Sequence, residues 1–206
     1  MGLHNMSEKI NSSSMTMSVY ETILSRRSIR RFQQKSISTE LLRKFVNAAR
    51  VAPSAANLQP LEFFIVTEKD MRSKIFETIG WAGYIKPTWK PGKNERPTAY
   101  IVILVKDINN KYYLRDVGLA SENIVLASEE ERIGSCILCK IEKNKIQEML
   151  KIPDTLHVDS LIALGYKAEQ AVVEDFKDSV KYWRDKNEVL HVPKRKLEDI
   201  IHLNEF

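Results

Sequence analysis

Residues 26–66 read RRSIRRFQQKSISTELLRKFVNAARVAPSAANLQPLEFFIV, and the order of these pieces decides the fold. The stretch opens on a basic run, Arg26-Arg27-Ser28-Ile29-Arg30-Arg31-Phe32. Ser38 then caps a helix in which Leu41, Leu42, Phe45, Val46 and Ala49 recur at helical spacing until Pro53 stops it. Ala52 to Pro60 reads as a turn, and Leu61 to Thr67, β-branched and aromatic, as a strand. Guanidinium forks beside a serine hydroxyl are what a phosphate monoester and a polyol chain require, although such a run serves equally as a polar connector. In the turn, small residues let the backbone approach a flat ligand while Ser54, Asn57 and Gln59 offer hydrogen bonds; alone it is only a turn.

Upstream, Ser18-x-x-Glu21 forms a capping box for a helix carrying Val19, Tyr20, Ile23 and Leu24. Downstream, Thr67-x-x-Asp70 opens a helix with Met71, Ile75, Phe76 and Ile79 on one side, and Gly80 breaks it. Residues 80–97 lack periodicity and hold Trp81, Tyr84 and Trp89, which suits a binding loop or an aromatic loop packed on the core. Thr98 to Val105 reads as a buried strand. Tyr113, Val117, Ala120, Ile124 and Ala127 mark a long helix that also bears Leu119, Asn123 and Leu126, placing it at the centre of a core or of a dimer interface. Ser135 to Ile141 is a strand, Glu142 to Leu150 a short helix, and Asp159 to Tyr166 another strand. The last forty residues are charged, with a short extended piece, Val189 to Val192, ahead of Lys194-Arg195-Lys196. Mixed elements with long strand-free gaps give an α+β class.

Composition narrows the function. The chain has 206 residues, 43% hydrophobic and 29% charged, which expects a single domain over 18–206 behind a disordered tail, 1–17. Its longest apolar run, Ala99 to Val105, is far short of the ~20 residues of a membrane helix, so no membrane partner is expected. The seven glycines assemble neither a Gly-x-Gly-x-x-Gly nor a phosphate-loop motif, so any nucleotide is held another way. The net charge of +5 is diffuse, with 32 bases among 27 acids, which argues against nucleic acid. Two cysteines and no apolar leader suit the cytoplasm. Cys136 and Cys139 lie three apart in a strand and point to opposite faces, and the four histidines show no paired spacing, so no metal is expected.

Together, RRSIRRF, APSAANLQP running into LEFFIV, Glu131-Arg132-Ile133-Gly134-Ser135-Cys136, the strand Leu161 to Tyr166 and the terminal Lys194-Arg195-Lys196-Leu197-Glu198-Asp199 resemble the nitroreductase family of FMN-dependent oxidoreductases, from about Ser18 to Ile201. The resemblance implies a three-layer sandwich with a central, mainly antiparallel sheet flanked by helices, working as an intertwined homodimer with FMN at the interface. Arg26, Arg27, Ser28 and Arg30 would then meet the phosphate, ribityl chain and pyrimidine edge, with Arg30 near N1 and the C2 carbonyl. Pro53, Ser54, Ala55 and Asn57 would come from the other subunit. The backbone of Cys139, Lys140 and Ile141 would run along the isoalloxazine edge, and Lys194, with Arg195 or Lys196, would close on the phosphate.

The activity implied is ping-pong: NADH or NADPH delivers hydride to flavin N5 and leaves, then an electron-poor acceptor such as a nitroaromatic or quinone is reduced. No catalytic side chain is then obligatory, since the flavin carries the chemistry. The 80–97 loop would border the open flavin face, with Trp81, Tyr84 or Trp89 as stacking groups. Cys139-Lys140-Ile141 replaces the family's acidic or glycine-rich residues, Leu61 stands where an aromatic often follows Gln-Pro, and Gln170 to Val192 is longer than the usual link, as a cover over the site or the partner subunit would be. Reductive dehalogenation and flavin breakdown are alternatives on the same fold, and a non-enzymatic basic binding module is the alternative of another class.

Overall fold

The computed structural model describes residues 17–85 and 89–205; apart from Met17, the tail expected to be disordered lies outside the described residues, as do residues 86–88 of the 80–97 loop. The elements run α1 (Val19–Ser25), α2 (Thr39–Arg50), β1 (Leu61–Val66), α3 (Lys69–Phe76), β2 (Ala99–Val105), α4 (Tyr113–Glu130), β3 (Ile133–Leu138), α5 (Lys143–Leu150), β4 (His157–Tyr166), β5 (Ala171–Asp175), β6 (Trp183–Arg184) and β7 (Leu190–Lys194). β1, β2, β4 and β3, in that spatial order, form an antiparallel sheet.

β2 explains the layers. All seven of its residues are buried, because both faces of the sheet are covered. Ala99, Ile101, Ile103 and Val105 pack with Leu42, Phe45 and Ala49 of α2 and Val117, Ala120 and Ile124 of α4. Tyr100, Val102 and Leu104 face the other way, into a cluster with Ile75 and Phe76 of α3 and Ile146 and Leu150 of α5. Alternation along a strand thus serves two cores, and the strand reads as continuously apolar. This is the three-layer α+β sandwich expected from the sequence. α4 is apolar on a further side: Leu114 is 62% exposed and Leu119 44%.

Several boundaries move. The capping box at Ser18 and the Ser38 cap are present. α3, however, is capped by Glu68, whose carboxylate accepts from the amides of Asp70 and Met71, rather than by Thr67. β3 spans Ile133 to Leu138, so Cys139, Lys140 and Ile141 lie beyond its end. The charged C-terminal stretch is more ordered than its pattern suggested. β5, β7 and β6 build a second sheet, with β5 parallel and β6 antiparallel to β7.

Candidate functional site

The basic run 26–32 lies along the edge of the main sheet as an irregular extra strand. Ile29 donates its amide to the Ser135 carbonyl at 2.9 Å, Ser28 bridges Ser135, and Phe32 bridges Lys167. The Gln33 amide reaches the Tyr166 carbonyl at 2.8 Å and the Ala168 amide the Arg31 carbonyl at 3.0 Å. Ile29 and Phe32 are buried, and the sequence makes room for them with two glycines paired across β3 and β4, Gly134 and Gly165. A Cβ on Gly134 would stand 2.9 Å from Ile29, and one on Gly165 2.7 Å from the Phe32 ring, closer than packed atoms tolerate. Ile29 and Phe32 point inward with Arg30 and Arg31 half-buried between them, an irregular spacing that presents both arginines.

The charges on this edge are unequal. Arg26 pairs with Glu122 of α4 at 3.6 Å. Arg31 pairs with Glu188 at 2.8 Å and Glu95 at 3.6 Å. Arg27 and Arg30 have no ion-pair partner among the described residues: Arg27 bonds the Arg26 carbonyl, while Arg30 reaches the Ser28 carbonyl at 3.4 Å and lies 4.6 Å from the centre of the Tyr182 ring. Burial first, and then the charge of Arg26, pull the Arg27 guanidinium below its ordinary value. The charge of Glu129 opposes these effects only in part, with no carboxylate at ion-pair distance, and a half-buried cation so placed gains from a bound anion. A solvent-open cavity of about 510 Å³ adjoins it, lined by Ser25, Arg27, Ile29, Lys167 and residues 168–171.

Glu169, whose side chain is 1% exposed, braces the edge, and sequence reasoning missed it. Its carboxylate accepts from the backbone amides of Arg30 and Arg31 and pairs with Arg184. Its signal in the sequence was an acid placed just after a strand that ends in Gly165-Tyr166. Glu129, equally overlooked and also buried, receives Lys167 at 2.6 and 2.7 Å.

The turn at 52–60 holds three residues in a backbone conformation that is uncommon outside glycine. Ala56, Asn57 and Gln59 have φ of 49°, 54° and 49°, in the left-handed region. Ser54 Oγ accepts the Gln59 amide at 3.0 Å, and Asp116 of α4 accepts the Ala55 amide at 3.1 Å. Asp116 is another residue missed from sequence, a buried carboxylate on a helix face otherwise read as apolar. Pro53, Ser54, Gln59, Pro60 and Asp116 line a cavity of about 250 Å³ beneath the turn.

Cys139, Lys140 and Ile141 are held against the end of α3. Gly80 donates to the Lys140 carbonyl at 2.8 Å, Glu142 to the Thr78 carbonyl at 3.0 Å, and Ile79 bridges Ile141. The Lys140 stem fills the space where Gly80 has no side chain. Cys136 is buried and Cys139 exposed, both as free thiols. Within the chain, then, 26–30 and 139–141 are joined to the sheet at and just beyond β3. Lys194 instead ends β7 and Arg195 and Lys196 follow it, all exposed, with the Lys194 carbonyl accepting from Phe176 at 2.7 Å and Arg195 bonding the Asp199 carbonyl. No hydrogen bond or ion pair among the described residues joins them to 26–30.

The aromatic loop divides. Trp81 is 4% exposed and packs on Phe76 at 5.5 Å, so it is core and no stacking group. Tyr84 is exposed and meets Tyr182 of the C-terminal stretch at 5.2 Å. Arg31 and Arg184 both face the Trp89 ring, at 5.8 and 5.6 Å. The 170–192 stretch thus reaches over the chain's own arginine edge, through Tyr182 on Arg30 and Arg184 on Glu169.

A family model, the nitroreductase family, matches residues 23–166. The chain is 33% identical over 156 residues to an Archaeoglobus fulgidus protein provisionally named an NADH dehydrogenase/NAD(P)H nitroreductase, covering 72% of this chain and 84% of that one. It is 25% identical over 165 residues to an iodotyrosine deiodinase of Thermotoga neapolitana, covering 72% and 88%. It superposes with a TM-score of 0.62 on an FMN-dependent nitroreductase of Clostridium difficile R20291, at 25% identity over 90% of this chain and 98% of that one.

Proposed function

The chain belongs to the nitroreductase family, and from that premise we propose that it is an FMN-dependent oxidoreductase which passes reducing equivalents from NADH or NADPH to an electron-poor acceptor, a nitroaromatic or quinone, in a ping-pong cycle. The observation that carries the reading is that Arg27 and Arg30, both on the braced edge, have no ion-pair partner among the described residues. A phosphate monoester carries about −1.5 to −2 charge at pH 7 and three strong acceptor oxygens, which suits such donors. The half-buried Arg27, with no carboxylate at ion-pair distance, fits that group, and the glycine-cradled backbone of 28–30 leaves the Ser28 side chain available to a polyol.

When bound, the flavin supplies the redox chemistry, taking electrons from the nicotinamide and giving them to the acceptor. The chain's own part is to bind and orient. Arg26, Arg27 and Ser28 hold the phosphate and ribityl end. Arg30 keeps positive charge beside the pyrimidine edge, where a reduced flavin gathers negative charge. Cys139, Lys140 and Ile141 lay their backbone along the ring edge, held in register by the 78–80 contacts. Lys194, with Arg195 or Lys196, closes on the phosphate. The turn bearing Pro53, Ser54, Ala55 and Asn57 serves the site of the other subunit in a homodimer. The exposed apolar side chains of α1 and α4, Val19, Tyr20, Leu114 and Leu119 among them, supply surface for that interface. Free Cys136 and Cys139 suit a cytoplasmic setting.

Steady-state kinetics with FMN-loaded protein test the activity. Parallel double-reciprocal lines for NADPH or NADH against a nitroaromatic or quinone are expected; no nicotinamide oxidation with any acceptor overturns the reductase reading. A second reading, reductive dehalogenation, is favoured by the iodotyrosine deiodinase among the relatives. Iodide release from an iodinated tyrosine under reducing conditions, exceeding turnover of nitroaromatics, would put it first.

A further inference from the structure

On the α3 side of the sheet lies a second cationic pocket, separate from the arginine edge. It has a volume of about 210 Å³, roughly seven water volumes, and α3, the chain leading into β2, and Gln34 enclose it. Lys69 and Arg72 come from α3, Lys93 and Arg96 from the segment before β2, and Tyr100 and Phe76 close its apolar side. No carboxylate lines it.

The donors are fixed in advance. Arg72 is clamped by two hydrogen bonds of 2.9 Å, from Nε to the Thr67 carbonyl and from Nη1 to the Pro97 carbonyl, leaving its second terminal nitrogen without a partner among the described residues. Arg96 lies flat on the Phe76 ring at 3.9 Å, and its Nε is buried with no hydrogen-bond partner. Gln34 pins the same turn by donating to the Arg96 carbonyl at 2.9 Å. Glu77 is shared between Arg96 at 3.2 Å and Lys90 at 2.8 Å, and Glu68 acts on Arg72 through space without forming an ion pair. Lys69, Arg72 and Lys93 have no ion pair among the described residues. Like charges gathered in a recess repel one another; a bound anion removes that repulsion, and planar guanidinium forks with flexible ammonium groups match phosphate oxygens.

We propose that this pocket binds a small phosphorylated anion, a phosphate monoester or diphosphate, held by Lys69, Arg72, Lys93 and Arg96. The site does not depend on the flavin reading, since none of its residues belongs to the arginine edge.

The test is calorimetric titration of FMN-saturated protein with inorganic pyrophosphate in ~0.1 M salt, with inorganic phosphate and sulfate as further probes. One saturable pyrophosphate site is expected, at least tenfold weaker in Arg72→Gln and in the exposed double variant Lys69→Gln/Lys93→Gln. The double variant keeps the fold if Arg72→Gln does not. Removing the same charge elsewhere, by Lys177→Gln/Lys181→Gln, should leave the affinity unchanged, as should Arg26→Ala. Absence of saturable binding overturns the proposal. So does equal loss in the Lys177/Lys181 control, affinity for sulfate matching that for pyrophosphate, or loss with Arg26→Ala while Arg72→Gln binds normally. If the chain takes up no FMN, pyrophosphate binding lost in Arg72→Gln still supports the pocket while the flavin reading falls.

Discussion

Two basic segments of this chain carry similar charge and are built in opposite ways. Arg26 to Arg31 is sewn to the main sheet: Ile29 and Phe32 fill spaces vacated by Gly134 and Gly165, and the buried Glu169 holds the amides of Arg30 and Arg31. Lys194 to Lys196 trails from β7 of the small sheet, with all three side chains exposed. In the proposed FMN site the difference separates two tasks. A rigid edge presents donors at a fixed spacing with little ordering cost left to meet, whereas an exposed segment can add charge only after giving up side-chain freedom.

The comparison breaks most readily at its apolar anchor. Phe32→Ala should cost about 3–5 kcal/mol of unfolding free energy in urea, because a fully buried ring leaves a cavity. Leu197→Ala, beyond the exposed cluster and itself 62% exposed, should stay within about 0.5 kcal/mol. Similar losses at both positions would contradict the contrast. Next, Gly165→Ala should cost about 1–3 kcal/mol by forcing the added methyl against Phe32, and Gly118→Ala, with open space on α4, should cost nothing or stabilise.

The main sheet was legible because its signals are local and redundant. The Ser18 and Ser38 caps, the seven-residue apolar run of β2 and the long apolar helix α4 each announce themselves within one turn or strand. The basic edge was legible as composition, but its conformation was not, since the paired Gly134 and Gly165 that shape it are distant in sequence. The second sheet was hidden for a related reason. β5 and β6 are short, partly exposed and charged; β5 pairs in parallel with residues nineteen positions onward, with no hairpin to mark it, and the 185–189 turn that joins β6 to β7 holds no Gly or Pro. Asp116 and Glu169 escaped notice because each holds backbone amides, which leave no trace in residue identity, and the Arg184 that also pairs with Glu169 belongs to the second sheet.

Ligand retention sharpens the comparison further. Arg26→Ala should weaken FMN binding by roughly tenfold to hundredfold, the range for loss of charge-assisted hydrogen bonds. Lys194→Ala should weaken it less, within about tenfold, as expected of an exposed donor. Normal affinity in both variants would refute a shared phosphate site.

The smallest effect is on pH dependence. Burial pushes the Cys136 thiol and the Tyr100 phenol above their ordinary values. The folded chain therefore holds these protons more tightly than the unfolded chain. That contribution to stability is complete below about pH 8.5, the ordinary thiol value, and is lost as pH rises beyond it. Urea unfolding from pH 7 to 10.5 should show a decline that Cys136→Ala and Tyr100→Phe each flatten; a profile unchanged by both would sink the assignment.

The central claim is that the braced arginine edge holds FMN. The direct measurement is the visible absorbance spectrum of the purified protein, followed by chromatography of the cofactor that heating releases. The account expects a yellow protein yielding FMN, and a colour lost or weakened in Arg26→Ala. A colourless protein that also takes up no added FMN would contradict it.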